Sequence, residues 1–165
     1  TCDVSDSRAL DQVFDEILPG GLDVLVNNAG IAGPTKLVED ITDDEWRATM
    51  AVGIDSQFFC ARRVVPVFKA QGHGTIVNLI SGAGIMGYPT RSPYAAAKWA
   101  STGFTKTLAM ELGPENIRVN GIAPGNVILI MQRRVTDHDA THGHGMQPRH
   151  GAERACAAHL NVDPV

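Results

Sequence analysis

Apolar positions along this chain change period several times, and each change marks an element. Leu10, Val13, Phe14 and Ile17 recur at i, i+3, i+4 and i+7, the spacing of one helix face. Ser5 ahead of them reads as the cap, and Pro19-Gly20-Gly21 behind them as the stop. Residues 22–28 (LDVLVNN) and 74–81 (GTIVNLIS) are short, β-branched apolar runs, the pattern of buried strands. Between them, Thr42 followed by Glu45 makes a capping box. The helix it opens carries Trp46, Met50, Ile54, Phe58 and Ala61 on one side, and Pro66 and then Gln71-Gly72 limit its far end. Another helix is predicted over 92–113, with Trp99, Phe104, Leu108 and Met110. A strand follows over 118–122, turned by Ala123-Pro124-Gly125. Residues 1–4 read as the end of a strand. Strands alternating with helices predict an α/β domain with a parallel sheet.

Near Arg133 the periodicity stops. Residues 137–150 read DHDATHGHGMQPRH, and five of the six histidines lie between His138 and His159. The chain therefore divides into a patterned part, 1–130, and an atypical tail, 131–165. Three readings compete for that tail: disorder or an altered reading frame, a replaced substrate lid, or a metal site from His142, His144 and His150 with no evident fourth ligand. Residues 152–160 (AERACAAHL) are compatible with a short helix.

The candidate chemistry sits at the centre. Tyr94 and Lys98 are four apart on the second long helix, so they share a face. A phenol, with an ordinary pKa of about 10, is a weak acid and base at neutral pH, and an ammonium one turn away favours its phenolate. Ser81 closes the preceding strand, at the end where open α/β sheets bind ligands. Its hydroxyl could hydrogen-bond a substrate oxygen as charge builds there. The trio suits proton transfer at a carbonyl or alcohol oxygen while a hydride moves at the carbon, and only a cofactor can carry the hydride. Taken alone, a Tyr-x-x-x-Lys pair is two surface residues of a helix, and Asn27-Asn28-Ala29-Gly30 is a strand-to-turn exit.

Together, in this order and spacing, the motifs resemble the short-chain dehydrogenase/reductase family, in particular its 3-oxoacyl-carrier-protein reductases and secondary-alcohol dehydrogenases. The resemblance covers residues 1–130. It implies a Rossmann-type doubly wound parallel sheet, truncated here, because the first βαβ unit with its glycine-rich turn would precede Thr1. That missing strand lies mid-sheet in the family, so its neighbours are expected to present open edges. The resemblance also implies NAD or NADP as cofactor, with the segment that chooses between them not in view. Tyr94 is then the acid/base. Lys98 tunes it and holds the nicotinamide ribose, and Ser81 orients the substrate. Asp3 and Val4 would meet the adenine, Asn28, Ala29 and Gly30 the adenosine half, and Asn27 would brace the sheet. Pro124 and Gly125 would bracket the nicotinamide, and Val127 would offer backbone groups to its carboxamide.

The chain departs from the family pattern at two places. Gly53 stands where an asparagine is common, and it has no side chain to bend the helix or to hold a relay water. Leu129 stands where a threonine is common. The loop 82–89 (GAGIMGYP) does not open a dinucleotide fingerprint; it reads as a flexible rim made apolar by Ile85, Met86 and Tyr88. In the family the helices at 43–71 and 92–113 pair subunits, so a homo-oligomer is expected. A non-catalytic scaffold pairing with full-length subunits is the reading from another class.

Composition removes several other classes. With 165 residues, 44% hydrophobic and a net charge of -4, the chain suits one globular domain; a small carbonyl or alcohol substrate is what the trio and the resemblance imply. Nucleic acid and membrane are not expected as partners. Cys2, Cys60 and Cys156 are odd in number and lack metal-type spacing, which reads as free thiols in the cytoplasm.

Overall fold

The computed structural model describes residues 1–124 and the backbone of 157–160. Three strands, β1 (Val24–Asn27), β2 (Gly74–Leu79) and β3 (Ile117–Pro124), pair in parallel, in sequence order. Val24 lies opposite Thr75, and Gly74 opposite Ile117. A fourth strand, β4 (Ala157–Leu160), runs antiparallel on the far side of β3, with Ala157 against Pro124. This replaces two expectations. Residues 157–160 form strand rather than helix, because the outer edge of β3 offers a row of backbone donors and acceptors that a strand can take up. Ala123 and Pro124 belong to β3 rather than to a turn. Gly125, Val127, Leu129 and the histidines at 138, 142, 144 and 150 lie outside the described residues.

Helix α1 (Ser7–Ile17) is capped by Asp6, whose carboxylate accepts from the amides of Arg8 and Ala9 at 2.9 and 3.2 Å. Ser5, expected to cap it, instead donates its amide and hydroxyl to Asp3 at 2.9 and 2.8 Å. That Asx turn is also why residues 1–4 are not a strand. Their backbone is committed locally, and none of the described strands pairs with them. Of the predicted stripe, Leu10 and Phe14 are buried and Ile17 is exposed.

Thr42 and Glu45 form the expected capping box before α2 (Asp43–Met50). After a π turn at Ala51–Asp55, α3 runs over Ser56–Gln71. Pro66 does not limit α3. It lies on the exposed side, so the carbonyl its ring frees faces water, and the helix continues to a left-handed Gly72. The buried face of α3 is Ala61, Val64 and Phe68, not the Trp46–Phe58 stripe, whose two aromatic residues are exposed. Helix α4 (Ser92–Leu112) ends in a short 3-10 turn at Gly113–Glu115.

All three long helices pack on the same side of the sheet. Leu10 and Phe14 of α1, Val64 and Phe68 of α3 and Leu112 of α4 close one core with Leu25, Ile76, Ile117 and Val119. These are alternate residues of β1, β2 and β3, hence one face. The other face presents Val24 and Val26, both exposed, beside half-buried Val77 and Ile122. Among the described residues, then, one layer of helices covers a Rossmann-type α/β sheet, and β1 is its open edge, as the resemblance implies.

A buried polar chain ties core to sheet. Asn27 donates to Asn78 at 2.8 Å, Asn78 to Thr105 at 2.8 Å, and Thr105 to the Ser101 carbonyl at 2.7 Å. It links β1, β2 and α4 with every bond at good length, the condition under which a buried polar group adds specificity rather than a penalty.

Candidate active site

The site residues gather at the carboxyl ends of the parallel strands. There β1 delivers Asn28, Ala29 and Gly30, all exposed. The end of β2 delivers Leu79, Ile80 and then Ser81, and the end of β3 delivers Pro124. Helix α4 lays Tyr94 and Lys98 across these ends. A cavity of about 280 Å³ is lined by Asn28, Gly30, Tyr94, Lys98 and Pro124, together with Ile31, Ile80 and Arg91 among others. Asn28 also lines a second cavity of about 80 Å³ with Ala29 and Val4, so the two read as one groove along the end of β1.

Not every expected residue reaches that groove. Asp3 lines neither cavity; Ser5 holds its carboxyl below the usual carboxylate range, first through the backbone bond and then through the hydroxyl. Ser81 is buried, and its hydroxyl accepts from the Ala83 amide at 3.2 Å, starting the turn Gly82–Gly84. It does not line the larger cavity. Those glycines are not a flexible rim but packing. A Cβ on Gly84 would lie 2.6 Å from the Lys98 carbonyl oxygen, and Thr102 donates to the Gly84 carbonyl at 3.0 Å. Ile85 and Met86 beyond them are exposed, and Tyr88 is half-buried.

Lys98 is only 5% exposed, and burial pushes its ammonium below its ordinary value. It donates to the Leu79 carbonyl at 2.7 Å, while its nitrogen sits 5.8 Å from the centre of the Tyr94 ring. An ammonium has three donors, so two remain for the groove. A Cβ on Gly30 would lie 3.8 Å from that nitrogen, so the absence of a side chain keeps the approach to it open.

Placement of α4 depends on Gly53. Gly53, without a side chain to shape the helix, sits inside a π turn at Ala51–Asp55. Its displaced carbonyls find side chains: Ser56 donates to Val52 at 2.7 Å, and Gln57 and Ser101 to Gly53 at 3.3 and 3.4 Å. Gly53 itself is buried, and a Cβ there would stand 2.7 Å from the Cβ of Ala97, between Tyr94 and Lys98 in sequence. The two helices therefore touch at backbone distance. Gly53→Ala is expected to destabilise the chain by about 1–3 kcal/mol through overpacking. Adding Ala97→Gly should recover part of that loss, read by thermal unfolding of the double-mutant cycle.

Sequence reasoning missed Arg91. It lies directly before α4, where the helix end is positive and a cation is disfavoured, and that mismatch was the available signal. Its guanidinium donates to the Ala32 carbonyl at 2.5 Å and to the Thr35 hydroxyl at 3.1 Å. With the Lys36 backbone amide donating to the Thr90 carbonyl at 2.9 Å, it fastens the loop after β1 to the start of α4.

Cys2 and Cys60 are free thiols, and burial pushes Cys60 up to about 11. Among the described residues there is no cluster of metal-ligating side chains and no helix long and apolar enough to cross a membrane.

Comparisons with known proteins agree with this geometry. A trans-4-hydroxycyclohexanecarboxylate dehydrogenase of Sinomonas cyclohexanicum is 52% identical over 108 residues, covering 66% of this chain and 41% of that one. The structure of an NAD+-bound xylitol dehydrogenase superposes with a TM-score of 0.72 at 35% identity, over 75% of this chain and 48% of that one. A metagenomic short-chain oxidoreductase in complex with NADP gives 0.73 at 34%, over 76% and 58%. The chain spans about half the length of the curated relatives it matches. The short chain dehydrogenase family profile matches residues 1–140; with the parallel sheet and the groove at its carboxyl edge, that places the chain in the short-chain dehydrogenase family, to which it belongs.

Proposed function

We propose that this chain carries the reaction site of an NAD- or NADP-dependent oxidoreductase acting on a small carbonyl or secondary alcohol. One observation carries the reading: Tyr94 and Lys98 line the same cavity as Asn28, Gly30 and Pro124, at the carboxyl ends of parallel strands. The groove fits a dinucleotide by its donors and its openness. Lys98 has two unused ammonium protons beside a side-chain-free Gly30, a match for the hydroxyls of a ribose. Val4 and Ala29 give the far cavity an apolar floor suited to a base. When bound, the nicotinamide supplies or accepts the hydride. Tyr94 gives its phenolic proton to the substrate oxygen, or takes one from it in the reverse direction. Lys98 places its positive charge beside the Tyr94 ring and holds the ribose. Ser81 steadies the substrate oxygen after its hydroxyl turns from the Ala83 amide. Asn28, Ala29, Gly30 and Pro124 line the cofactor path; Gly125 and Val127 would extend it.

Solved relatives holding NAD+ or NADP support the cofactor class. Pairing of subunits through α2–α3 and α4 is proposed from their exposed Trp46, Phe58, Trp99 and Met110. A cytoplasmic location is proposed from the free thiols.

The test is a titration with NADH and NADPH, following Trp46 and Trp99 emission and energy transfer to the nicotinamide. Both indoles are partly exposed, at 41% and 51%, so both respond to ligand and solvent. Micromolar binding of either dinucleotide is expected. A folded chain that binds neither at millimolar concentration would overturn the reading and favour the scaffold.

A further inference from the structure

We propose that Arg91 recognises a carboxylate on the substrate, so that the substrate class is a small hydroxy or keto acid. This rests on the cavity beside Tyr94 being the reaction site. Arg91 lines that cavity, and its guanidinium carbon sits 5.4 Å from the centre of the Tyr94 ring and 5.8 Å from that of Tyr88. These cation–π contacts help to hold the guanidinium in place. Two of its five N–H groups are used, on Ala32 and Thr35. The Nε is buried and has no hydrogen-bond partner. No carboxylate lies within 4 Å of Arg91 among the described residues, and no acidic side chain lines the cavity.

The two terminal nitrogens each keep a second N–H beyond their bonds to Thr35 and Ala32, and such a pair can grip a carboxylate through two parallel hydrogen bonds. An incoming anion would neutralise a cation that the helix end disfavours. Lys98 adds a second positive charge to the same cavity, again without an acidic partner. Arg91 and Lys98 both stand within 6 Å of the Tyr94 ring. The acid group and the reacting oxygen of the substrate are thus separated by only a few carbons. Ile31 and Ile80 in the lining suit an apolar span between them.

A purely structural Arg91, strapping the loop to the helix, would show no preference for charge in a ligand. The test compares cyclohexanecarboxylate with cyclohexanecarboxamide, followed by ligand-observed NMR on the chain without cofactor. The unaltered chain should bind the carboxylate about tenfold more tightly, as a charged hydrogen bond predicts. Arg91→Met should erase the preference while leaving carboxamide binding in place. Arg91→Lys, which keeps the charge and loses the fork, should retain part of it. Equal binding of the two ligands by the unaltered chain would overturn the proposal whatever the variants do. A preference that survives undiminished in either variant would also overturn it and shift recognition to Lys98. Neither readout needs turnover, so a failed dinucleotide titration strikes the hydride-transfer reading and leaves this result standing.

Discussion

Tyr94→Phe is expected to reduce turnover of a small ketone with NADH or NADPH by about 10²–10⁴-fold, the range for loss of a positioned acid or base. Dinucleotide affinity should stay nearly constant. The reason lies in what the substitution spares. Arg91 and Lys98 flank the ring of Tyr94, at 5.4 and 5.8 Å from its centre, and phenylalanine keeps that ring. Lys98 is fixed by the Leu79 carbonyl, not by the phenol, so its own position should not change. Only the proton-carrying oxygen is removed. A loss confined to kcat, with unchanged dinucleotide titration, would isolate a group used in the chemical step. Retained turnover in the variant would remove Tyr94 from that role and leave the α4 motif as a structural feature.

Phe68→Ala should have the largest effect on stability. The ring is wholly buried in the core shared by α1, α3, β2 and β3. Its fit is tight on one side, where a Cβ on Gly74 would come within 2.2 Å of the ring. Strand β2 begins at that glycine because nothing larger fits beneath the phenylalanine. Truncation leaves a cavity that neighbouring backbone cannot fill, for an expected loss of about 3–5 kcal/mol. Against a total of roughly 5–15 kcal/mol for an ordinary domain, this is a large share. Urea denaturation should show a lower midpoint with an unchanged slope. A loss under about 1 kcal/mol would mean that this core is not what holds the chain together.

How legible each feature was depended on whether its cause is local. The capping box at Thr42, the strand cores and the Tyr94–Lys98 face follow from short spacings, and each stands where the pattern put it. Ser5 lost the cap to Asp6 because Asp3 competes for its hydrogen bonds, a contest among residues two apart that propensity does not rank. The π turn was not visible, since one extra residue in a helix disturbs the apolar period no more than a polar substitution would. Nor could spacing foresee that Gly53 faces Ala97 of another helix. Helix preference in 157–160 was overridden by the free edge of β3, a long-range effect. Arg91 escaped notice because its meaning lies in the Tyr88 and Tyr94 rings and in the loop it holds. The order of motifs carried the family, and only the geometry showed that Ser81 and Asp3 are not among the residues lining the two cavities.

The one-sided cover of the sheet among the described residues has a calorimetric consequence. Unfolding raises heat capacity in proportion to the apolar surface newly given to water, by about 0.45 cal/K/mol per Å². Val24 and Val26 are already 48% and 55% exposed in the folded chain. About half of their share of that increment is therefore absent, and the temperature curvature of stability rests mainly on the helix-facing side. Any element that came to cover the other face would deepen the curve as well as raise it.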